Sequence, residues 1–181
     1  MLFLARTHPL TIAVPEFCLR EAQFSLKERY RKGREGIVDA RGLLRDVGRS
    51  EYARERVEAA TDLLVELEEM LQERMEGVAE TIDMMEDICS VISHSPEAHV
   101  RGRLRYIGGY PPFKETDCEI FECILDFLRA NHNEYDASIF LCLDQSDFDH
   151  DEIRDDLAET NTRLSFSTGE CIAIVRSELG M

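Results

Sequence analysis

No stretch of this 181-residue chain approaches the roughly 18 to 20 apolar positions that a membrane span needs. The apolar start, Met1 to Ala5, is too short for the hydrophobic core of a secretory signal, and Arg6 follows at once. The six cysteines (Cys18, Cys89, Cys118, Cys123, Cys142, Cys171) include no C-x-x-C pair, so they read as free thiols buried in a reducing compartment rather than as a zinc knuckle. A Walker-type phosphate loop, an H-E-x-x-H helix and a convincing Ser or Cys triad are also lacking. Asp147-x-Asp149-x-Asp151 imitates the start of a calcium loop, but Glu152 and Ala158 stand where the Gly and the bidentate Glu belong. Lysine is scarce beside arginine, and the formal net charge of −16 argues against a nucleic-acid-coating role, because affinity for phosphate rests on clustered cations. The expectation is a soluble cytoplasmic protein with no membrane partner.

An apolar content of 44% is enough for a core, and the length suits one domain, or one domain with a helical extension. Two basic clusters stand against the acidic total: Arg20, Lys27, Arg29, Arg31, Lys32 and Arg34 in one segment, Arg101, Arg103 and Arg105 in another. Either is explained by a solvated helix face or an edge strand as well as by a ligand. His94 and His99, flanking Pro96, lack ligand spacing and read as loop histidines.

Leu10 to Val14 predicts a short strand, with Pro15 at a good first position for a helix over Glu16 to Val47 that is weakened at Gly33, Gly36 and Gly42. From Glu51 to about His94, Val57, Leu64, Leu71, Val78, Met85 and Ile92 fall seven apart, with Ala60, Leu67 and Ile88 at the complementary spacing. That predicts one long helix or two bent near Gly77, arranged as a helical hairpin rather than a parallel coiled coil. Val100 to Ile107 reads as a strand or an extended connection, and Thr116-x-x-Glu119 as a capping box opening a helix to about His132. Ala137 to Leu143 predicts a buried strand, Asp149-x-x-Glu152 caps a helix to about Glu159, and Arg163 to Phe166 is a further strand. Ile172 to Val175 suits a last strand or a short helix. Helices and strands alternate here as in a parallel α/β sheet.

Three segments place carboxylates beside apolar runs: I-x-V-P-E-x-x-x-x-E ending at Glu21, F-K-E-x-D with Asp117, and a hydrophobic strand followed by D-x-x-D-F with Asp144 and Asp147. Ligand crevices of open α/β sheets lie at the carboxyl ends of strands, which is where Asp144 and Asp147 fall. Asp117, in the first turn of its helix, is favoured by the dipole. Alone, each is an ordinary first-turn, loop or surface acid; together they would form a cage for a divalent ion.

These motifs, over about residues 10 to 30 and 112 to 176, resemble those of the PIN-domain family of metal-dependent ribonucleases. The resemblance implies a three-layer α/β/α fold with a central, mostly parallel sheet over residues 1–181, and a helical insertion over about 31–100. It further implies an endoribonuclease in which Glu21, Asp117, Asp144 and Asp147 hold Mg²⁺ or Mn²⁺ and carry catalysis, while Lys27, Arg29, Arg31, Lys32 and Arg34 seat the RNA. Cys142 stands at the position where the family commonly has Thr or Ser. The family opens with a central strand ending in Asp, and here no acid precedes Glu16. Either Met1 to Ala5 partly replaces that strand without an acid, or the functional protein begins upstream of Met1. The settings implied are a toxin–antitoxin pair or RNA processing, and the partners RNA, an antitoxin-like protein or a second copy of the chain. The alternative is a catalytically inactive PIN-like interaction module working through its long helices.

Overall fold

The computed structural model describes residues 2–180. In chain order the elements are α1 (Leu2–Thr7), β1 (Ala13–Pro15), α2 (Glu16–Val47), a 3-10 turn at Glu51–Ala53, α3 (Arg54–Ile88), β2 (Ser90–Ile92), α4 (Pro96–Ile107), α5 (Glu115–Asn131), β3 (Ser138–Leu141), α6 (Gln145–Phe148), α7 (Asp151–Ala158), β4 (Thr162–Ser165) and α8 (Thr168–Glu178). The fold is mixed α/β with helices dominant. The chain forms two compact units, residues 18–87 and residues 1–17 with 88–181. Among the described residues, no helix is long and apolar enough to cross a membrane.

The unit of residues 18–87 is an antiparallel pair, α2 against α3, as the descending order of its contacts shows. Gln23 donates to Glu86 at 2.9 Å, Tyr30 donates to Gln72, and Glu68 pairs with Arg41 at 2.8 Å and Arg34 at 3.5 Å. α3 runs unbroken through Gly77. A Cβ on Gly33 would stand 2.7 Å from Leu71 Cδ2, so that glycine admits the leucine between the helices. The seven-residue seam holds through Val57, Leu64 and Leu71, but Leu67 and Val78 are exposed, and Glu68 and Ile82 take inward positions. A straight helix of 3.6 residues per turn drifts away from a strict heptad, which explains the change of register.

In the other unit the strands form two separate parallel pairs, β1 with β2 (Val14 opposite Val91) and β3 with β4 (Phe140 opposite Leu164). The expected single central sheet is not formed among the described residues; the element at the centre is α5. Its residues Phe121 and Leu125 pack with Phe148, Ile153 and Leu157, and Phe140 and Leu164 lie against them. Cys123 and Ile124, on another face, pack with Ile92 and Ala98, against Ala13 and Phe127. A helix covered on both sides is buried all round, and residues 121–125 are all buried, with the one charged member, Glu122, paired to Arg101 and Arg105.

Several local expectations are corrected. Residues 2–7 are helix rather than a stand-in strand, and Met1 lies outside the described residues. The segment from Val100 to Ile107 is the body of α4, capped by Ser95 Oγ, which accepts from Ala98 N at 3.0 Å. α4 turns its apolar residues outward: Val100, Leu104 and Ile107 are exposed, while Ala98 and Gly102 are buried. At Gly102 the contact with α5 is backbone to backbone, since a Cβ there would lie 2.5 Å from Glu119 Cα and 2.6 Å from Glu119 N. Thr116 is inside α5, which begins at Glu115 with no side-chain cap. α7 likewise starts after His150, while Asp149 is held by Gln145 and Arg154. Residues 172–175 belong to α8.

Candidate acidic site

Asp144 follows β3 and caps α6. Its Oδ1 accepts from Ser146 Oγ at 2.6 Å and from Asp147 N at 3.3 Å, which fixes the carboxylate and sets Asp147 one turn further along. Lys114 is the residue before α5, and Asp117 lies in that helix's first turn. The two helix starts bring Asp117, Asp144 and Asp147 around one atom, Lys114 Nζ, with their Oδ2 oxygens at 3.6, 3.4 and 2.5 Å. Three of the four acids singled out in the sequence therefore meet. The fourth, Glu21, is exposed on α2 in the unit of residues 18–87.

The electrostatics follow from one cation among three anions. The hydrogen bond to Asp147 holds the Lys114 ammonium well above the usual lysine range, with the Asp147 and Asp117 charges adding to it. Burial pushes the Asp117 carboxyl up; Lys114 opposes this and the neighbouring Asp147 and Asp144 charges reinforce it. The Ser146 hydroxyl draws the Asp144 carboxyl down, helped by Asp147 N–H and Lys114. Asp147 is the most enclosed of the three at 17% exposure, whereas the lysine side chain is 63% exposed. The cation is therefore the most solvent-exposed member of the cluster.

The Cys142 thiol, close beside, is 3.9 Å from the Asp144 carbonyl and is pushed up by burial. It offers a weaker donor than a hydroxyl would. Lys114 itself was missed as a site residue; the signal for it was its rarity, since the chain has only three lysines.

The proposed RNA seat on α2 is divided. Arg31 is clamped by Glu28 at 2.9 Å and Glu35 at 2.5 Å, and Arg34 is held by Glu68 and lies 6.0 Å from the centroid of the Tyr30 ring. Lys27, Arg29 and Lys32 are exposed. In the second basic cluster Arg103 is exposed, 3.8 Å from Glu115, while Arg101 and Arg105 are engaged within the fold. Arg105 donates to Glu122 at 2.8 Å, to Asp156 at 2.5 Å and to the Pro111 carbonyl at 2.9 Å. Arg101 bonds Glu122 at 3.1 Å and also Asp126.

Of the two expected loop histidines, His94 does lie in the loop before α4, whereas His99 is in the first turns of α4, and both meet Glu119 of α5. Comparison with protein-family models, curated proteins and solved structures finds no match.

Proposed function

We propose that this chain is a PIN-like, metal-dependent endoribonuclease that hydrolyses RNA phosphodiesters at the pocket of Asp117, Asp144 and Asp147. The observation that carries the reading is the convergence of these three aspartates, from the starts of α5 and α6, on a single, largely exposed cation, Lys114 Nζ. Clustered carboxylates repel and hold protons, so their assembly makes chemical sense around a cation. The donor set is all oxygen, which suits Mg²⁺ or Mn²⁺.

Asp117, Asp144 and Asp147 would hold the ion. When bound, it supplies positive charge that acidifies a water and stabilises negative charge developing on the phosphate oxygens. Ser146 Oγ and Asp147 N–H keep the Asp144 carboxylate oriented throughout. Lys114, released from the aspartates, is placed to donate to a phosphate oxygen. Lys27, Arg29 and Lys32 offer exposed positive charge to an RNA backbone. The settings this activity suits are a toxin–antitoxin pair, with a protein partner covering the acidic pocket, or RNA processing.

Lys114 also favours a second reading. An ammonium that never leaves would occupy the ion's position, and the protein would be a non-catalytic interaction module acting through α2 and α3. The two readings part on Mn²⁺-dependent cleavage of a mixed single-stranded and structured RNA pool by the intact chain, Asp117→Asn and Lys114→Ala. Cleavage abolished by Asp117→Asn supports the nuclease. Absence of cleavage in every form, with folding verified by circular dichroism, supports the interaction module. Because one positive charge is removed from the ion's position, Lys114→Ala is expected to bind Mn²⁺ at least about fivefold more tightly in either case.

A further inference from the structure

We propose a second metal site, for a zinc-like transition ion, at His94, His99 and Glu119. It is independent of the nuclease reading and separate from the aspartate pocket. Glu119 is two residues beyond Asp117 on α5, which at about 100° per residue places the two side chains on nearly opposite faces of that helix.

The donors are already gathered. His99 Nδ1 is 2.9 Å from Glu119 Oε1, and His94 Nε2 is 3.9 Å from Glu119 Oε2. One ligand atom from each of the three residues lies within 4.8 Å of the others. Zinc bonds of about 2.0 to 2.1 Å in a tetrahedron separate ligand atoms by about 3.4 Å, so the two measured spacings bracket the required one. Closing separations of up to 4.8 Å to that spacing takes side-chain adjustments of at most about 1.4 Å.

The supports are those a metal site needs. The Cys123 thiol lies 3.5 Å from His94 Nδ1, the nitrogen turned away from Glu119, and so occupies the outer position that orients a ligating imidazole. Ser95 caps α4 and its carbonyl accepts from His99 N at 3.0 Å, fixing the turn that presents His99. The backbone contact at Gly102 locks that turn against Glu119. Two imidazoles and a carboxylate suit Zn²⁺, Co²⁺ or Ni²⁺, whereas Mg²⁺ favours oxygen donors throughout. With three protein ligands and both rings partly exposed, a fourth position faces water or a ligand, as in catalytic rather than structural zinc sites.

The test is a Zn²⁺ titration of the chelator-stripped full chain against a chromogenic competitor, with Co²⁺ absorption spectra and melting curves with and without zinc. The intact chain should bind one equivalent of Zn²⁺, show the visible bands of low-symmetry Co²⁺, and melt higher in zinc. His99→Ala and Glu119→Gln should each lose about 100-fold in affinity and the zinc-dependent rise in melting temperature. Asp117→Asn should keep both. If the intact chain binds no Zn²⁺ and melts at the same temperature in its presence, the site is only a histidine–glutamate hydrogen bond and the proposal falls. Zinc binding lost in Asp117→Asn but kept in His99→Ala would move the ion to the aspartate pocket and overturn it equally.

Discussion

Two charged clusters lie along α5 and are built in opposite ways. Around Glu122, Arg101 and Arg105 meet Glu122, Asp126 and Asp156, with Glu122 almost fully enclosed and Arg105 stacked 5.0 Å from the centroid of the Phe121 ring. Guanidinium groups match carboxylates with several fixed donors, and that cluster closes on itself. Around Lys114, a single flexible ammonium serves three aspartates and stays largely in water. The first arrangement ties α4, α5 and α7 together. The second leaves a surplus of negative charge that a better cation could satisfy. Acid residues alone do not mark a site; the number and exchangeability of the cations facing them do.

The contrast breaks first at Glu122. Glu122→Ala strands Arg101 and Arg105 next to the core and should lower stability by about 3 to 5 kcal/mol, measured by urea denaturation. Should that variant be as stable as the parent, the arginine cluster is not structural. Next comes the helix contact that aligns the arginines with Glu122. Gly102→Ala drives a methyl into the α5 backbone and should destabilise by about 1 to 3 kcal/mol, with the α4 amides losing hydrogen-exchange protection.

The acidic pocket should respond weakly and with the other sign. Burial raises the Asp117 carboxyl in the folded state, so the folded protein binds more protons there than the unfolded chain. The resulting destabilisation is present at neutral pH and relieved as pH falls through the raised folded value. Asp117→Asn should therefore gain up to about 1 kcal/mol at pH 7, fading in acid. Asp144, drawn down chiefly by Ser146, contributes stability above the ordinary carboxylate range that is lost as pH falls through its lowered folded value. Ser146→Ala should weaken that dependence in melting curves taken across acid pH. A pocket whose aspartates stabilise the fold as strongly as Glu122 does would be structural, and the comparison would collapse.

Much of the scaffold was legible. Heptad spacing from Val57 to Leu71 marks a packed helix, and apolar content followed by D-x-x-D locates the end of β3 and the acids beyond it. The failure at α4 is instructive. Its outward face carries Val100, Leu104 and Ile107, and its inward face carries glycine, alanine and arginines, so the usual inference from apolarity to burial runs backwards. The partly buried arginines are tolerated because Glu122, Asp126 and Asp156 wait for them from α5 and α7, which no local window contains. His99 and Glu119 are twenty residues apart and meet for the same reason.

The sequence by itself determined which segments are helical hairpin and that Asp117 stands in a first turn, because periodicity is a property of neighbouring residues. Tertiary structure alone decided that α5 rather than a sheet is central, that Lys114 is the cation among three aspartates, and that two histidines share a glutamate. Those outcomes depend on which helices can approach closely, here through Gly102, and a contact between distant residues leaves no period in the chain that makes it.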